Sequence, residues 1–507
     1  MGKKILIVGG VAGGATAALR ARRLDESAEI VIFEKGPHVS FSNCSLPFHL
    51  SGVVEKSEKL VLMTPADFQA KYCIDARTRH EALKINRERK TLTVKNLESG
   101  KEYEEDYDVL ILAPGASPVL PKIEGIGLSH VFTVRNVSDI ASLRQFIQTN
   151  GIREAGVIGE GFIGIEVAEN LRLAGLDVTL IEAGRQVMAP LDEDMAQILH
   201  KELIDQGVKL ILNDRVEAIS HNLIKLQSGK EVPARAVVMA VGVQPETRLA
   251  AEAGLVIGKT GGILVNGNYQ TSDPYIYAVG DAIEVTHRIT RRKTRLAMAG
   301  PAQRQARTAV NHIYNISGQN KGVIGTSVIR VFDLNVAVTG LNERTAKQAG
   351  IDVDFAYVIP PDKVGLMPDS HPLHFKLLFE IPTGRVLGAQ AVGKGNVDKR
   401  IDVIAAIIMM DGTLEDLQEL ELCYSPLFGI PRDVVNQAAL VGLNLLNGRY
   451  RQVPANKVRE LVESGAQMID VRDPVFFSII CFHIGKTSQW IRPAGKVLCL
   501  LCPLFFV

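Results

Sequence analysis

Lys4-Ile5-Leu6-Ile7-Val8-Gly9-Gly10-Val11-Ala12-Gly13-Gly14 is the stretch whose reading decides the fold. A run with the character of a buried parallel strand enters a glycine-rich turn, and Ala15 to Arg23 then reads as helix. A second apolar strand, Ile30-Val31-Ile32-Phe33, ends in Glu34 with Lys35 beside it. The pattern is a βαβ dinucleotide unit. Small residues let the backbone approach a pyrophosphate at the helix N-terminus, and the acid receives a ribose hydroxyl. Gly9, Gly10, Ala12, Gly13, Gly14, Glu34 and Lys35 are the expected contacts, although Val11 stands where G-x-G-x-x-G has its middle glycine.

The pattern recurs. Ala155-Gly156-Val157-Ile158 leads into Gly159-Glu160-Gly161-Phe162-Ile163-Gly164, a helical run to Ala174, and a strand Val178 to Ile181 that ends in Glu182. Here all three glycines are present. Gly159, Gly161, Phe162, Ile163, Gly164, Glu182 and Gly242 form a second expected nucleotide set. Glu182 would bond the adenosine ribose and repel a 2′-phosphate, which favours NADH over NADPH, while Arg185 nearby pulls the other way. The fold class that follows is α/β with two Rossmann-type units, the second inserted between the halves of the first.

Composition narrows the function. Lys and Arg number 57 against 56 for Asp and Glu, which argues against nucleic acid or an anionic membrane as the main partner. Six cysteines without regular spacing make no disulfide framework and point to a reducing cytosol. Met1-Gly2-Lys3-Lys4 runs straight into a strand, without the pattern of a signal peptide, and the apolar run Val497 to Val507 is too short for a bilayer. A cytoplasmic enzyme acting on small molecules, with no metal site, is the expectation.

Ser40-Phe41-Ser42-Asn43-Cys44-Ser45-Leu46-Pro47-Phe48 holds one cysteine with no neighbour to pair with. Cys73 is too far along for a local redox pair, and His49 stands where a dithiol centre would have its second cysteine. Cys44 is either a buried small side chain or a thiol that works with a sulfur the substrate brings.

Tyr107-Asp108-Val109-Leu110-Ile111-Leu112-Ala113-Pro114-Gly115-Ala116 and Thr271-Ser272-Asp273-Pro274-Tyr275-Ile276-Tyr277-Ala278-Val279-Gly280-Asp281 resemble the flavoprotein pyridine nucleotide-disulfide reductases. The motif around Cys44 resembles their single-cysteine branch, namely coenzyme A-disulfide reductases, NADH-dependent persulfide reductases, and NADH oxidases or peroxidases. The likeness spans roughly residues 1–446. It implies FAD on the first unit, with Ala113, Gly115 and Asp281 among its contacts; Asp281, read alone, is a helix N-cap, and the two roles are compatible. It implies hydride transfer from nicotinamide to flavin and on to Cys44, placed at a helix start that favours thiolate. Asn43 and Ser40 would orient the bound thiol. Phe162 either packs its helix or covers the flavin until nicotinamide displaces it.

The resemblance also matches Arg20, Arg23, Ser40, Asn43 and Lys71 to a coenzyme A site. Arg20 and Arg23 share a helical face, which by itself is a solvated basic face or a phosphate grip. From Thr326 to Leu446 the sequence resembles the dimerisation domain of that family, so a homodimer is expected, with Tyr424 facing substrate across it or serving as an interface tyrosine. Two departures stand out: Leu366-Met367-Pro368-Asp369 replaces a Tyr-Tyr-Pro-Gly loop, and Leu427 replaces a proline. The first removes a proton donor to the leaving thiolate and shifts weight from a disulfide toward a persulfide, sulfur or oxygen acceptor.

The expected organisation is a FAD-binding domain from 1–118 and 246–325, an NAD(P)H-binding domain over 119–245, a dimerisation domain over 326–446 and a linker over 447–456. Residues 457–507 form a truncated rhodanese-like segment, since Gln467-Met468-Ile469-Asp470-Val471-Arg472-Asp473-Pro474 resembles a rhodanese opening strand. Cys481, Cys499 and Cys502 lack the Cys-Arg-x-Gly loop, so 475–507 reads as a remnant without transferase activity. The expected function is NAD(P)H-driven, FAD-mediated reduction of coenzyme A disulfide, persulfide or polysulfide through Cys44. The alternatives are an NADH oxidase or peroxidase cycling through Cys44 sulfenic acid, and a slow redox-sensing flavoprotein.

Overall fold

Lys4–Val8 is the middle strand of a five-stranded sheet, with Glu29–Glu34 and then Asp75–Thr78 on one side and Val109–Leu112 and then Ile276–Ala278 on the other. Every pairing is parallel, with Leu6 opposite both Val31 and Leu110. A parallel sheet needs cover on both faces, and Ile5, Leu6 and Ile7 are fully buried. The computed structural model from which these relations are read describes residues 2–449, 451–470 and 497–500. The helix α1 (Ala12–Leu24) follows the first strand and turns Ala17, Ala18 and Ala21 inward. Small residues there admit a close approach by the helix Ala299–Ile313, whose Ala302, Ala306 and Ala309 are buried in turn.

A second five-stranded parallel sheet runs Lys209–Ile211, Asp177–Ile181, Glu154–Ile158, Ala236–Met239, Val131–Phe132. Its glycine turn opens the helix α2 (Phe162–Leu173). Both sheets lie in one compact unit, residues 1–189 with 203–324, and the α/β class with paired Rossmann-type sheets holds.

The other unit comprises 190–202 and 325–507. Its antiparallel sheet has the order Ser327–Val331, Leu334–Gly340, Val386–Gly393, Leu373–Glu380, Val353–Val358. Val386–Gly393 is buried along its whole length, beneath the helices Val397–Met409 and Val434–Leu446. Beyond residue 453 the described residues form the helix Ala455–Glu463 and the paired strands Gln467–Asp470 and Val497–Leu500. The side chains of Cys481, Cys499 and Cys502 lie outside the described residues. No helix among the described residues is long and apolar enough to cross a membrane.

One buried cation organises this second unit. Lys376 on the strand Leu373–Glu380 is 1% exposed, and its ammonium meets Asp194 at 2.9 Å, Asp192 at 3.2 Å and Glu343. Gln390 on the neighbouring strand holds Asp192, donating from Nε2 at 2.6 Å and accepting from the Asp192 amide at 2.7 Å. The carboxylates of Asp192, Asp194 and Glu343 lie close enough together to hold a metal ion, but they converge on the lysine ammonium. Removing one partner of a buried ionic network leaves uncompensated charge, typically about 3–5 kcal/mol. Lys376→Met is therefore expected to lower stability by about that amount, read as a drop in the melting temperature and in the denaturant midpoint.

Candidate active site

Backbone crowding shapes the first turn. Gly9 has φ +95°, and a Cβ there would run into the Ala113 carbonyl; a Cβ on Gly14 would strike the Gly9 carbonyl. Only glycine lets helix and strand meet at this distance. Glu34 then fastens the turn, accepting from the Gly10 amide at 2.9 Å and the Gly36 amide at 2.8 Å. Gly13 approaches Val279, whose amide bonds Leu112, so the two chain halves converge at one sheet end. Gly115 takes φ +73° just beyond Ala113.

Asp281 sits in the one-turn helix Gly280–Ala282, beside this junction. Burial pushes its carboxyl above the usual range, and it makes no hydrogen bond among the described residues. The Gly280 amide donates to Gln305 Oε1 at 2.7 Å, while Gln305 Nε2 is buried without a partner. An unpaired carboxyl and an unpaired amide donor flanking one glycine suit a polyhydroxyl ligand, so these residues fit a flavin nucleotide. Gln305 went unnoticed in the sequence because a glutamine inside an amphipathic helix carries no motif.

The second turn repeats the geometry. Gly159 has φ +112° against the Ala240 carbonyl, and Gly164 packs on the Gly159 carbonyl. Gly242 has φ +114° at the end of the adjoining strand. Glu182 accepts from the Gly184 amide, and Ile163 is partly exposed beside the half-buried Phe162.

The cysteine segment is tied to the first turn. Ser40, at φ +52°, donates its amide to the Gly10 carbonyl at 2.8 Å and accepts at its own carbonyl from Leu62 at 2.7 Å. Asn43, Cys44 and Ser45 form a single 3-10 turn, below which Leu46, Pro47, His49 and Leu50 are buried. Ser51 Oγ donates to Asn170 Oδ1 of α2 at 2.6 Å. His49 Nδ1 lies 2.7 Å from the Val54 carbonyl and 3.0 Å from Arg144. Cys44 remains open to solvent.

One expectation is corrected. Rather than favouring thiolate, the surroundings push the Cys44 thiol up, through burial first and then through the charges of Glu166 and Asp281. A three-residue turn offers little helix dipole, and the nearest charges are negative. Glu166 is the group sequence reasoning missed, since a lone glutamate inside a dinucleotide helix matches no motif.

Arg20 donates from Nε and Nη2 to Asn311 Oδ1 at 2.9 and 2.7 Å, and burial with the charges of Arg307 and Arg23 lowers its pKa. The basic cluster is thus Arg20, Arg23 and Arg307, drawn from two packed helices. Arg22 is spent elsewhere, on the carbonyls of Tyr72 and Cys73 and of Asp25 and Glu26. Lys71 is exposed and paired with Asp67 at 2.8 Å.

In the second unit, Tyr424, Leu427 and Phe428 are all exposed. The buried Arg400 staples that loop, bonding Asp433 at 3.1 Å together with the carbonyls of Asp362 and Phe428. Leu366, on the loop that lacks tyrosines, is 86% exposed.

The profile of the pyridine nucleotide-disulphide oxidoreductases matches residues 3–306, and that of their dimerisation domain matches 326–431. The chain belongs to this family. A coenzyme A disulfide reductase of Staphylococcus epidermidis is 36% identical over 434 residues, covering 85% of this chain and 98% of that protein. The crystal structure of reduced Bacillus anthracis CoADR-RHD is 41% identical, with TM-score 0.94 over 96% of this chain and 88% of that one. A NAD-dependent persulfide reductase from A. fulgidus is 34% identical, with TM-score 0.89 over 98% and 90% of the two chains.

Pyridine nucleotide-disulphide oxidoreductases of this kind use FAD and a nicotinamide nucleotide. Glu34→Ala would strip the acceptor from the Gly10 and Gly36 amides, and an orphaned donor costs about 1–3 kcal/mol. Flavin affinity should fall about tenfold or more, measured by fluorescence titration of the stripped protein.

Proposed function

We propose that the chain reduces coenzyme A disulfide or coenzyme A persulfide with NAD(P)H, working through Cys44. The observation that carries this reading is the setting of Cys44: a solvent-reachable thiol without a cysteine partner among the described residues, tied through Ser40 to the first glycine turn and feeling the charge of Asp281. The likeness to a coenzyme A disulfide reductase and to a persulfide reductase supports the substrate class.

On this reading the first nucleotide unit is built from 1–118 and 246–325 and takes FAD on Gly9, Gly10, Ala12, Gly13, Gly14, Glu34, Lys35, Ala113, Gly115 and Asp281. The unit 119–245 takes NADH on Gly159, Gly161, Phe162, Ile163, Gly164, Glu182 and Gly242. When held there, FAD would supply the two-electron redox chemistry between the nicotinamide and sulfur. The chain's own residues manage the thiol chemistry. The Cys44 thiolate attacks the substrate disulfide R–S–S–R, one sulfur leaves as R–SH after taking a proton, and the other stays as Cys44–S–S–R. Two electrons and a proton then release the second R–SH and restore the thiolate, so that NAD(P)H, one proton and R–S–S–R become NAD(P)+ and two R–SH.

Asn43 and Ser40 orient the held sulfur. Arg20 and Arg23, joined by Arg307, bind the phosphates of coenzyme A, with Lys71 at the edge of the site. Planar guanidinium groups suit that task because they bond phosphate oxygens in pairs. The exposed Tyr424, Leu427 and Phe428 make up a dimer face, through which Tyr424 reaches the thiol site of a second copy.

Cys44→Ser should keep its flavin and lose NADH-dependent coenzyme A disulfide reduction by about a thousandfold or more, the usual scale for removing a covalent nucleophile. Mass spectrometry of the resting wild type should find a coenzyme A adduct on the Cys44 peptide. A serine variant with undiminished turnover would end this assignment.

A further inference from the structure

The helix α2 carries Phe162, Glu166 and Asn170 four residues apart, so the three side chains run along one face. Asn170 is 1% exposed and receives Ser51 Oγ at 2.6 Å, and the Pro47–His49 turn packs on the same helix. The face that begins at the second glycine turn is thereby fastened to the cysteine segment, with Glu166 at its centre. The Glu166 carboxyl has no hydrogen bond or ion pair among the described residues, and its charge is felt at the Cys44 sulfur.

The charge that acts on the Glu166 carboxyl is that of Glu169 on α2, and the Glu166 and Asp281 charges are both felt at Cys44. The cysteine segment that packs on α2 also carries His49, which meets Arg144 of the helix Val137–Thr149. Arg144 spends its guanidinium on His49 and on the Glu55 carbonyl. Glu166 is left with no cation of its own.

We propose that Glu166 is the proton-holding partner of Cys44, neutral while the cysteine is thiolate and charged while it is thiol. Its position supports this role, and so does its titration. Burial, and then the charge of Glu169, push its carboxyl up to about 7, where the group changes charge in the working range of a cytosolic enzyme. The Glu166 charge reaches the Cys44 sulfur as a like charge, so on this proposal the two groups titrate as a coupled pair.

In the reaction proposed above, on which this inference rests for the identity of R, two electrons cleave Cys44–S–S–R into two thiolates. The Glu166 carboxylic acid gives its proton to R–S−, which leaves as R–SH, and the resulting carboxylate regains a proton from solvent. The proton consumed in each cycle enters by this route, in a chain that lacks the tyrosines of the Leu366-Met367-Pro368-Asp369 loop.

The test needs no disulfide substrate. Flavin-loaded, reduced protein is treated with iodoacetamide between pH 5.5 and 9, and the rate of alkylation is read on the Cys44 peptide by mass spectrometry. At pH 6 Glu166 is mostly neutral, so wild type and Glu166→Gln should react at similar rates. Above pH 7 the wild-type carboxylate suppresses the thiolate, and Glu166→Gln should react about 5- to 10-fold faster, as for a like charge worth about one pKa unit. Glu166→Asp, which keeps the charge, should return most of the way to wild type.

Superimposed profiles for wild type and Glu166→Gln, with flavin content and melting temperature unchanged, would overturn the proposal. Should Glu166→Gln fail to retain flavin, the wild-type curve decides: two inflections, one near pH 7, support the pair, and a single inflection refutes it. A protein that alkylates as expected yet leaves coenzyme A disulfide untouched would refute the substrate assignment and leave the proton partner standing.

Discussion

Two backbone contacts, Gly14 against the Gly9 carbonyl and Gly164 against the Gly159 carbonyl, are the constraint on which the catalytic unit depends. Each presses a helix N-terminus onto the end of its parallel sheet, and each tolerates no side chain. The consequence is electrostatic. Amides that would otherwise bond within a longer loop are turned outward at the positive end of a helix dipole, where anionic ligands bind. The cysteine segment inherits its place from the first of these turns, because the Gly10 carbonyl receives the Ser40 amide. A shift at Gly9 or Gly14 would therefore move the thiol as well as the nucleotide site.

The fold was legible because its signals are local. Glycines at fixed spacing, apolar strands ending in Glu34 and Glu182, and the recurrence of the whole pattern identify two nucleotide units without knowledge of any distant contact. The region after Thr326 was legible through its resemblance to a dimerisation domain. Segments 190–202 were not. Asp192 and Asp194 join the second unit because they pair with Lys376, which lies far along the chain and reads on its own as one charged residue interrupting an apolar strand.

The site was legible in its members and less so in its electrostatics. The sequence motif picks out Cys44, and Asp281 and the glycines are brought to one sheet end with it. The expectation of an activated thiolate came from the idea of a helix start, yet the turn is too short to supply a useful dipole, and burial, followed by the charges of carboxylates from two other segments, pushes the thiol up. Neither carboxylate is near Cys44 in sequence, so only the folded chain reveals them. The same holds for Arg307 and Asn311, which act on Arg20 across a helix pair and add a third guanidinium group to an ordinary basic stripe.

A raised thiol in a reductase is less paradoxical than it first looks. A single-cysteine cycle alternates between a covalently held sulfur and a free one, and only the free state carries a charge to stabilise. Acidic surroundings destabilise that free thiolate and so favour its recapture by the next substrate sulfur, which raises its nucleophilicity at some cost in thiolate population. Arg20, Arg23 and Arg307, by contrast, lie together on α1 and the helix Ala299–Ile313 and are not among the charges that act on the thiol.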